Sequence, residues 1–326
     1  MENINILILS VGTRNKIVQY FKETIAGKGK IVCTDMSIHA PAIYEGDKYY
    51  LMPAVSDENY IKKVLDICDK ENIAGIFSLI DPELAILSEY ESQFKEKGVL
   101  LLQSSKELLD VSFNKYEFFK ALINKGYKTP QSYIKLDEVL MDLENGKVKF
   151  PLFIKPNRGS ASININSVFN KNELISNFQK YEDLLIQEYI DGDEYGVDVY
   201  VDFLTKEVIS IFIKKKLKMR AGETDKSISI KNKELNSLIK KFVEEMNYVG
   251  QIDIDVFESN NEFYISEVNP RFGGGYPHAY IAGCNFPLYI YNNLRGIENK
   301  VNLSNYKAGS IMMKYNEIKF LNNGGI

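Results

Sequence analysis

The stretch Gly250–Gly275, GQIDIDVFESNNEFYISEVNPRFGGG, gathers hard-oxygen and cationic side chains at strand spacing. IDIDVFE alternates apolar and acidic residues with a period of two, EFYISEV does so more loosely, and SNN between them is a turn signal, so the stretch predicts a β-hairpin. Side chains two apart on a strand share a face, which sets Asp253 and Asp255 on one side and Ile252, Ile254 and Val256 on the other. Glu267 and Asn269 share a face on the returning strand. Pairing of Asp255 with Glu267 brings two carboxylates and the Asn269 amide oxygen into one small volume, where a cation relieves the charge. All are hard oxygen donors, suited to magnesium or manganese carried with a nucleotide rather than to zinc. Arg271 follows two residues on, a fixed cation where phosphoryl charge would develop. An ordinary strand pair with its acids in water gives the same alternation. The abrupt end at VNPRF and the following glycines, which leave backbone open to close approach by a ligand, favours the binding reading.

A chain of 326 residues is long enough for two or three compact units that share interfaces. Its formal net charge of -4 argues against a general nucleic-acid binder, because a phosphate backbone calls for a basic face. Cys33, Cys68 and Cys284 are far apart, with no CxxC and no Cys/His cluster, so neither a zinc site nor a disulfide framework is expected, and a reduced cytoplasmic setting fits. MENINILILSVG carries acidic Glu2 where a signal peptide is basic, and no stretch approaches the roughly twenty apolar residues of a membrane helix, so neither is expected.

The elements that must position the hairpin follow from hydrophobic pattern. INILILS, GKIVCTD, KYYLMP, IAGIFSLID and KGVLLLQ read as buried strands, with helices over Lys16–Lys22, Asp57–Asn72 and Pro82–Lys97, which predicts a parallel α/β sheet. The first turn lacks the GxGxxG dinucleotide pattern, against an NAD-dependent enzyme. Gly12, Thr13, Arg14, Asp35, Asp81 and Glu83 fall at the carboxyl ends of these strands and are candidates for a substrate cleft, although turn and cap chemistry accounts for them equally well. NKYEFFKALINKGYKTP reads as a helix stopped at Gly126, with Lys115 at its start, where a cation opposes the helix dipole. FPLFIKPNRGSASININSV gives a strand bearing Lys155, then a small-residue loop with Gly159, Ser160 and Ser162 whose amides suit phosphate oxygens. In LLIQEYIDGDEYGVDVYVD, the extended segment Gln187, Glu188, Tyr189 and Ile190 suits the edge of an adenine, and Glu194 suits a ribose. EVISIFIKKKLKMRAGETD places Lys214, Lys215, Lys216, Lys218 and Arg220 at the end of a strand running into Ala221-Gly222, either as a solvated edge or as a mobile basic loop over phosphates. A helix over Lys231–Met246 leads into the hairpin. GGGYPHAYIAGCNFPLYIYNNL follows as a glycine turn and one largely buried helix, in which His278 is either packed or substrate-facing.

Lys115, FIKP with its loop, IQEYIDGDEYGVDV, the basic segment and DVF...EVNPR occur in the order of the ATP-grasp superfamily, and the chain resembles its branch related to the large subunit of carbamoyl-phosphate synthase. The resemblance implies an α/β and α+β chain: an amino-terminal parallel-sheet domain over 1–112, then a two-lobed ATP-grasp fold, with the small lobe over 113–190 and the carboxy-terminal lobe over 191–326. It implies that Lys115 and Lys155 serve the nucleotide, that Arg158–Ser162 is a phosphate lid, that Gln187–Ile190 meets adenine and Glu194 the ribose. It further implies Asp255, Glu267 and Asn269 as magnesium ligands, Arg271 facing the transferred phosphoryl group, and a catalytic role for Arg220. A single ATP-grasp unit argues against carbamoyl-phosphate synthesis itself. Asp255, where some relatives use a longer side chain, leaves open whether Asp253 joins the metal site.

The expected activity is an ATP-dependent ligase joining a small carboxylate to an amine through an acyl phosphate, with ATP and Mg2+ (or Mn2+) as cofactors. Gly12, Arg14, Asp81, Glu83, Gly274 and His278 are the expected substrate cleft. A regulatory or scaffold protein that keeps the nucleotide clamp without turnover is the alternative; the set Asp255, Glu267, Asn269 and Arg271 weighs against it. A homodimer is the base-rate expectation.

Overall fold

The computed structural model describes residues 3–159 and 166–321, so the expectations for Ser160 and Ser162 lie outside the described residues. The chain opens with β1 (Asn5–Leu9), α1 (Asn15–Ile25), β2 (Ile31–Asp35), β3 (Lys48–Leu51), α2 (Tyr60–Glu71), β4 (Ile73–Ser78), α3 (Asp81–Glu89), α4 (Glu91–Glu96) and β5 (Leu100–Leu101). The strands form a parallel sheet in the order β3-β2-β1-β4-β5. Strand β1 is apolar almost throughout because both faces are covered: Ile6 and Ile8 enter one core, Leu7 and Leu9 the opposite one. Strand order reverses between β1 and β4, which opens a crevice beyond their carboxyl ends. The helix expected over Pro82–Lys97 is two helices, parted at Tyr90.

Helices α5 (Lys106–Phe113) and α6 (Lys115–Asn124) connect to the next unit. Asn114 caps α6 by accepting from the Glu117 N–H, and Gly126 follows at φ +78°. A small antiparallel sheet, ordered β6-β9-β7-β8, is built from β6 (Ser132–Tyr133), β7 (Leu152–Pro156), β8 (Asn166–Val168) and β9 (Leu184–Glu188), with α7 (Leu136–Glu144) and α8 (Lys171–Lys180) over it.

The large antiparallel sheet comprises β10 (Asp193–Val201), β11 (Val208–Arg220), β12 (Glu223–Ile230), β13 (Gly250–Ser259), β14 (Glu262–Asn269) and β15 (Ile311–Met313), in the order β14-β13-β10-β11-β12-β15. Helix α9 (Lys233–Met246) covers one face, where Ile252, Ile254 and Val256 pack with Ile239 and Phe242. The β13–β14 hairpin forms as expected, turning at Asn260 and Asn261, both at positive φ (52° and 61°), the backbone a two-residue hairpin turn requires. Two expectations are corrected. Of the two readings of the basic run, the mobile loop does not form: its lysines and Arg220 belong to the end of β11, which pairs with β12 as far as Arg220. The segment after the glycines is α10 (Tyr276–Ile281) and α11 (Phe286–Leu294), separated at Gly283, whose φ of +104° no helix continues. Tyr200, Phe212, Phe272, Tyr276 and Phe286 share one core with Ile6, Ile8 and Phe77, joining the parallel-sheet unit to the large sheet. No described helix is long and apolar enough to cross a membrane.

Candidate active site

The register of the large sheet decides which charges meet. Across β13–β14, Asp255 faces Glu267 and Asp253 faces Asn269. Across β10–β13, Asp253 faces Asp198 and Asp255 faces Gly196, and across β10–β11 Gly196 faces Lys214. One face of four adjacent strands is therefore charged, while the other is the apolar face under α9. Lys214, 1% exposed, forms an ion pair with Asp198, also 1% exposed. Lys216 Nζ lies 2.7 Å from both Asp255 Oδ1 and Glu194 Oε1. Gly196 makes room for this: a Cβ there would sit 3.0 Å from Lys214 Cε and 3.4 Å from Lys216 Cε. Burial opposes charge on Lys216, but Asp255 and Glu194 outweigh it and hold the ammonium protonated.

This charged face floors a cleft of about 1030 Å³. Lys115, Lys155, Arg158 and Gly159 form its wall on the small-sheet side, with Gln187, Glu188, Tyr189 and Ile190 above them. Lys115 Nζ donates to the Gly159 carbonyl at 2.6 Å, and Lys155 Nζ lies 3.9 Å from Glu267 Oε2. Burial, and secondarily the charge of Lys115, push the Lys155 ammonium down against the pull of Glu267. Burial pushes Glu267 up, but Lys115, Lys155, Arg271 and Lys216 together hold its carboxyl below the usual range. Apolar surface is supplied by Phe153, Phe257 and Met219. The far wall is the crevice of the parallel sheet: Arg14 after β1, Leu79 and Ile80 after β4. Arg14 Nη2 pairs with Glu223 Oε1 at 2.7 Å, and Glu223 Oε2 accepts from Lys314 at 2.8 Å.

Of the sequence-derived candidates, Lys115, Lys155, Gly159, Gln187, Glu188, Tyr189, Ile190, Glu194, Asp255, Glu267, Asn269, Arg271, Arg14 and Gly274 line this one cleft. Asp81 borders a small adjoining cavity and bonds Arg271. Thr13 and Asp35 lie outside the cleft lining, and four other candidates have different roles. Arg220 points away, half-exposed, pairing with Asp225 at 3.0 Å; the cation that β11 turns into the cleft is Lys216. Glu83 is fully buried and accepts from the hydroxyls of Ser10, Tyr60 and Ser78, which is support for the strand ends rather than a ligand contact. His278 is buried with its ring between Ser227 Oγ (2.8 Å) and Ser310 Oγ (3.0 Å), and burial, with Lys214 nearby, pushes it down to about 4. Gly12 is a turn residue: its N–H donates to Asp35 Oδ2 at 2.8 Å and its carbonyl accepts from Ala42. The glycines after Arg271 also act differently from expectation. The groups close to their backbone are this chain's own, since a Cβ on Gly273 would meet Asp253 Cγ at 2.3 Å and one on Gly275 Lys214 Cε at 2.5 Å.

Lys216, Glu223 and Thr224 line the cleft without having been singled out as site residues, and so does Asp253, whose part in the metal site was left open. Lys216 was within reach of the period-two rule applied to IFIKKKLK, and Asp253 shares the Asp255 face. Glu223 and Thr224 come from the start of β12, for which the local sequence carries no signal.

Comparisons with known proteins agree with this architecture. A family model for the PylC-like N-terminal domain matches residues 6–102, and one for an ATP-grasp domain matches residues 112–275. D-alanine–D-alanine ligase A of Bacillus cereus is 37% identical over 97 residues, 28% of this chain and 31% of the ligase's length. The structure resembles the biotin carboxylase domain of 2-oxoglutarate carboxylase from Hydrogenobacter thermophilus, solved with MgADP, ADP and bicarbonate, at a TM-score of 0.78 with 15% identity, over 95% of this chain and 74% of that one. It resembles the L-amino acid ligase of Bacillus licheniformis at a TM-score of 0.68 with 22% identity, over 90% of this chain and 75% of that one. At such identities the structural likeness speaks for the fold. The ATP-grasp match, spanning half of the sequence and ending just past the charged hairpin, assigns this chain to the ATP-grasp family.

Proposed function

We propose that the chain is an ATP-dependent carboxylate–amine ligase that works through an acyl phosphate, releases ADP and phosphate, and acts on a small carboxylate such as an amino acid or peptide. The observation that carries the proposal is the meeting of Asp255, Glu267, Asn269 and Arg271 with Lys115 and Lys155 in one cleft. The donor set fits magnesium with a nucleotide: three hard oxygens on paired strands. Among the described residues, no three His, Cys, Asp or Glu side chains form a metal site by themselves, so the remaining ligands would come from phosphate and water. Bound ATP and magnesium would supply the phosphoryl group and much of the charge neutralisation that its transfer requires.

The chain's own residues then have separable tasks. Lys115, Lys155 and Gly159 hold phosphate oxygens, and Asp255, Glu267 and Asn269 hold the metal. Phe153, Phe257 and Met219 offer apolar surface to a base whose edge meets backbone at Tyr189 and Ile190, since the Glu188 N–H is already bonded to the Gln131 carbonyl at 2.8 Å. Glu194 suits the ribose. Arg271 stabilises the charge that develops on the transferred group, and Arg14 and Glu223 face the substrate end. On this division residues 1–112 contribute the substrate wall, 113–190 the nucleotide cover and 191–326 the metal-bearing floor.

The test is phosphate release from Mg-ATP against a panel of amino acids and small carboxylates, singly and in pairs, with Glu267→Ala as the blank. Release that needs both a carboxylate and an amine, yields ADP and vanishes in the variant supports the ligase. Arg271→Ala is expected to lower turnover about a hundredfold, the typical effect of removing a preorganised contact to developing charge. ATP binding without stimulated release by any pair supports a nucleotide clamp without turnover, and failure to bind ATP removes both.

A further inference from the structure

Arg271 is held on every nitrogen. Its Nη2 donates to Asn269 Oδ1 at 3.0 Å and its Nη1 to the Phe272 carbonyl at 3.2 Å, both partners within two residues in sequence. Its Nε donates to Asp81 Oδ1 at 3.0 Å, and Asp81 is 190 residues away, the first residue of α3 in the parallel-sheet unit. Both side chains are nearly buried, 10% and 11% exposed. The local bonds act on the two terminal nitrogens; the third comes only from Asp81 and fixes the plane of the guanidinium at its Nε edge.

The electrostatics point the same way. Arg14 and Arg271 approach each other at the junction of the two units, and Asp81 is a carboxylate near both. Asp81 does not line the large cleft, where a ligand would meet it directly. It borders a cavity of about 20 Å³, room for about one water, that is also lined by Lys115, Glu267 and Asn269. Its Oδ2 is buried and faces no partner among the described residues. Its chemistry is therefore exerted on Arg271.

We propose that Asp81 is a positioning residue for Arg271: the parallel-sheet unit, through the first residue of α3, orients the cation that the large sheet carries into the cleft. The functional part rests on reading Arg271 as the cation of phosphoryl transfer; the positioning itself does not. It also links the two ends of the cleft, because Leu79 and Ile80, which line the substrate wall, directly precede Asp81.

The test uses the full chain. Asp81→Asn keeps an oxygen for Nε but removes the charge, and is expected to lower turnover about tenfold; Asp81→Ala, about a hundredfold. The dissociation constant for Mg-ATP stays within about twofold in both, and in an Arg271→Ala background Asp81→Asn costs no further turnover. A residue that only starts α3 would lower melting temperature, leave turnover of the folded protein intact and give additive effects, which overturns the proposal. The second readout needs no activity: with 15N-arginine, the Arg271 Nε–H signal, identified by its loss in Arg271→Lys, exchanges slowly with solvent in the wild type and fast in Asp81→Ala. Unchanged exchange overturns the positioning. If no substrate pair gives turnover, the ligase reading fails while the exchange measurement still decides whether Asp81 orients Arg271.

Discussion

Strands β13 and β11 lie one strand apart in the same sheet and send charge into the same cleft, yet their sequences look nothing alike. On β13 each acid is separated from the next by an apolar residue, and Ile252, Ile254 and Val256 fill the core under α9 while Asp253 and Asp255 face the cleft. On β11 the cations Lys214, Lys215 and Lys216 are consecutive, and only the pleat sorts them. Lys214 and Lys216 have side chains 1% and 5% exposed, whereas Lys215 is 35% exposed and pairs with Asp193 on the opposite face. A run of like charges therefore says nothing about solvation until the strand period is laid over it. Where the partner strands carry acids on the inner face, half of such a run is a buried counter-charge.

The largest break of this comparison is Lys214→Met. It keeps an unbranched side chain of similar length but leaves Asp198 buried without its cation, and removing one partner of a buried pair typically costs about 3–5 kcal/mol. Urea unfolding measures it, and a loss below about 1 kcal/mol would mean that the pair is not desolvated as its burial indicates. The loss carries a sign with pH. Burial pushes the Asp198 carboxyl up even beside Lys214, and further without it. The folded variant then holds a proton that unfolded aspartates, titrating near about 3.9, have released, so its deficit is larger at about pH 8 than at about pH 5.

How far the sequence could be read follows from the range over which each feature is set. The hairpin was legible because alternation, turn and ligand spacing are local, and β1 because a parallel strand covered on both faces is continuously apolar. The pairing of Asp255 with Glu267 was conditional on register and is the one observed. Glu83 and His278 were misplaced for the same reason as each other. The hydroxyls around Glu83 come from Ser10, Tyr60 and Ser78, and those around His278 from Ser227 and Ser310, distances along the chain that no local pattern spans. The glycines after Arg271 were read as leaving room for a ligand, whereas Asp253, Glu223 and Lys214 of this chain lie against their backbone.

A smaller effect sharpens the comparison from the β11 side. His278 is pushed down to about 4 by burial and then by Lys214, from an ordinary value of 6.5. Between those values the unfolded chain binds a proton that the folded ring refuses, so stability falls as pH falls from about 6.5 towards about 4. His278→Asn removes that part of the slope. The chain's only other histidine, His39, is exposed, so His39→Asn is the control. Equal slopes in wild type and His278→Asn would show that the ring is accessible to protons in the folded state.

The smallest expected effect is the most discriminating. Lys215 sits between the two buried lysines, carries the same charge and forms an ion pair at 2.6 Å, as close as the 2.7 Å pairs of Lys216, yet both its side chain and that of Asp193 are substantially exposed, 35% and 50%. An exposed pair contributes about 0–1 kcal/mol, because solvent screens it and ordering two long side chains offsets most of the attraction. Lys215→Ala is therefore expected to lie within about 0.5 kcal/mol of wild type in urea unfolding, to be insensitive to pH between about 5 and 8, and to leave ATP affinity unchanged. A loss approaching that of Lys214→Met would mean that charge on β11 matters without regard to face, and the pleat would no longer account for which of three identical residues serves the cleft. Near-zero for Lys215 beside several kcal/mol for Lys214 is a difference that residue type cannot produce, since the two share it, and that only the alternation of the strand can.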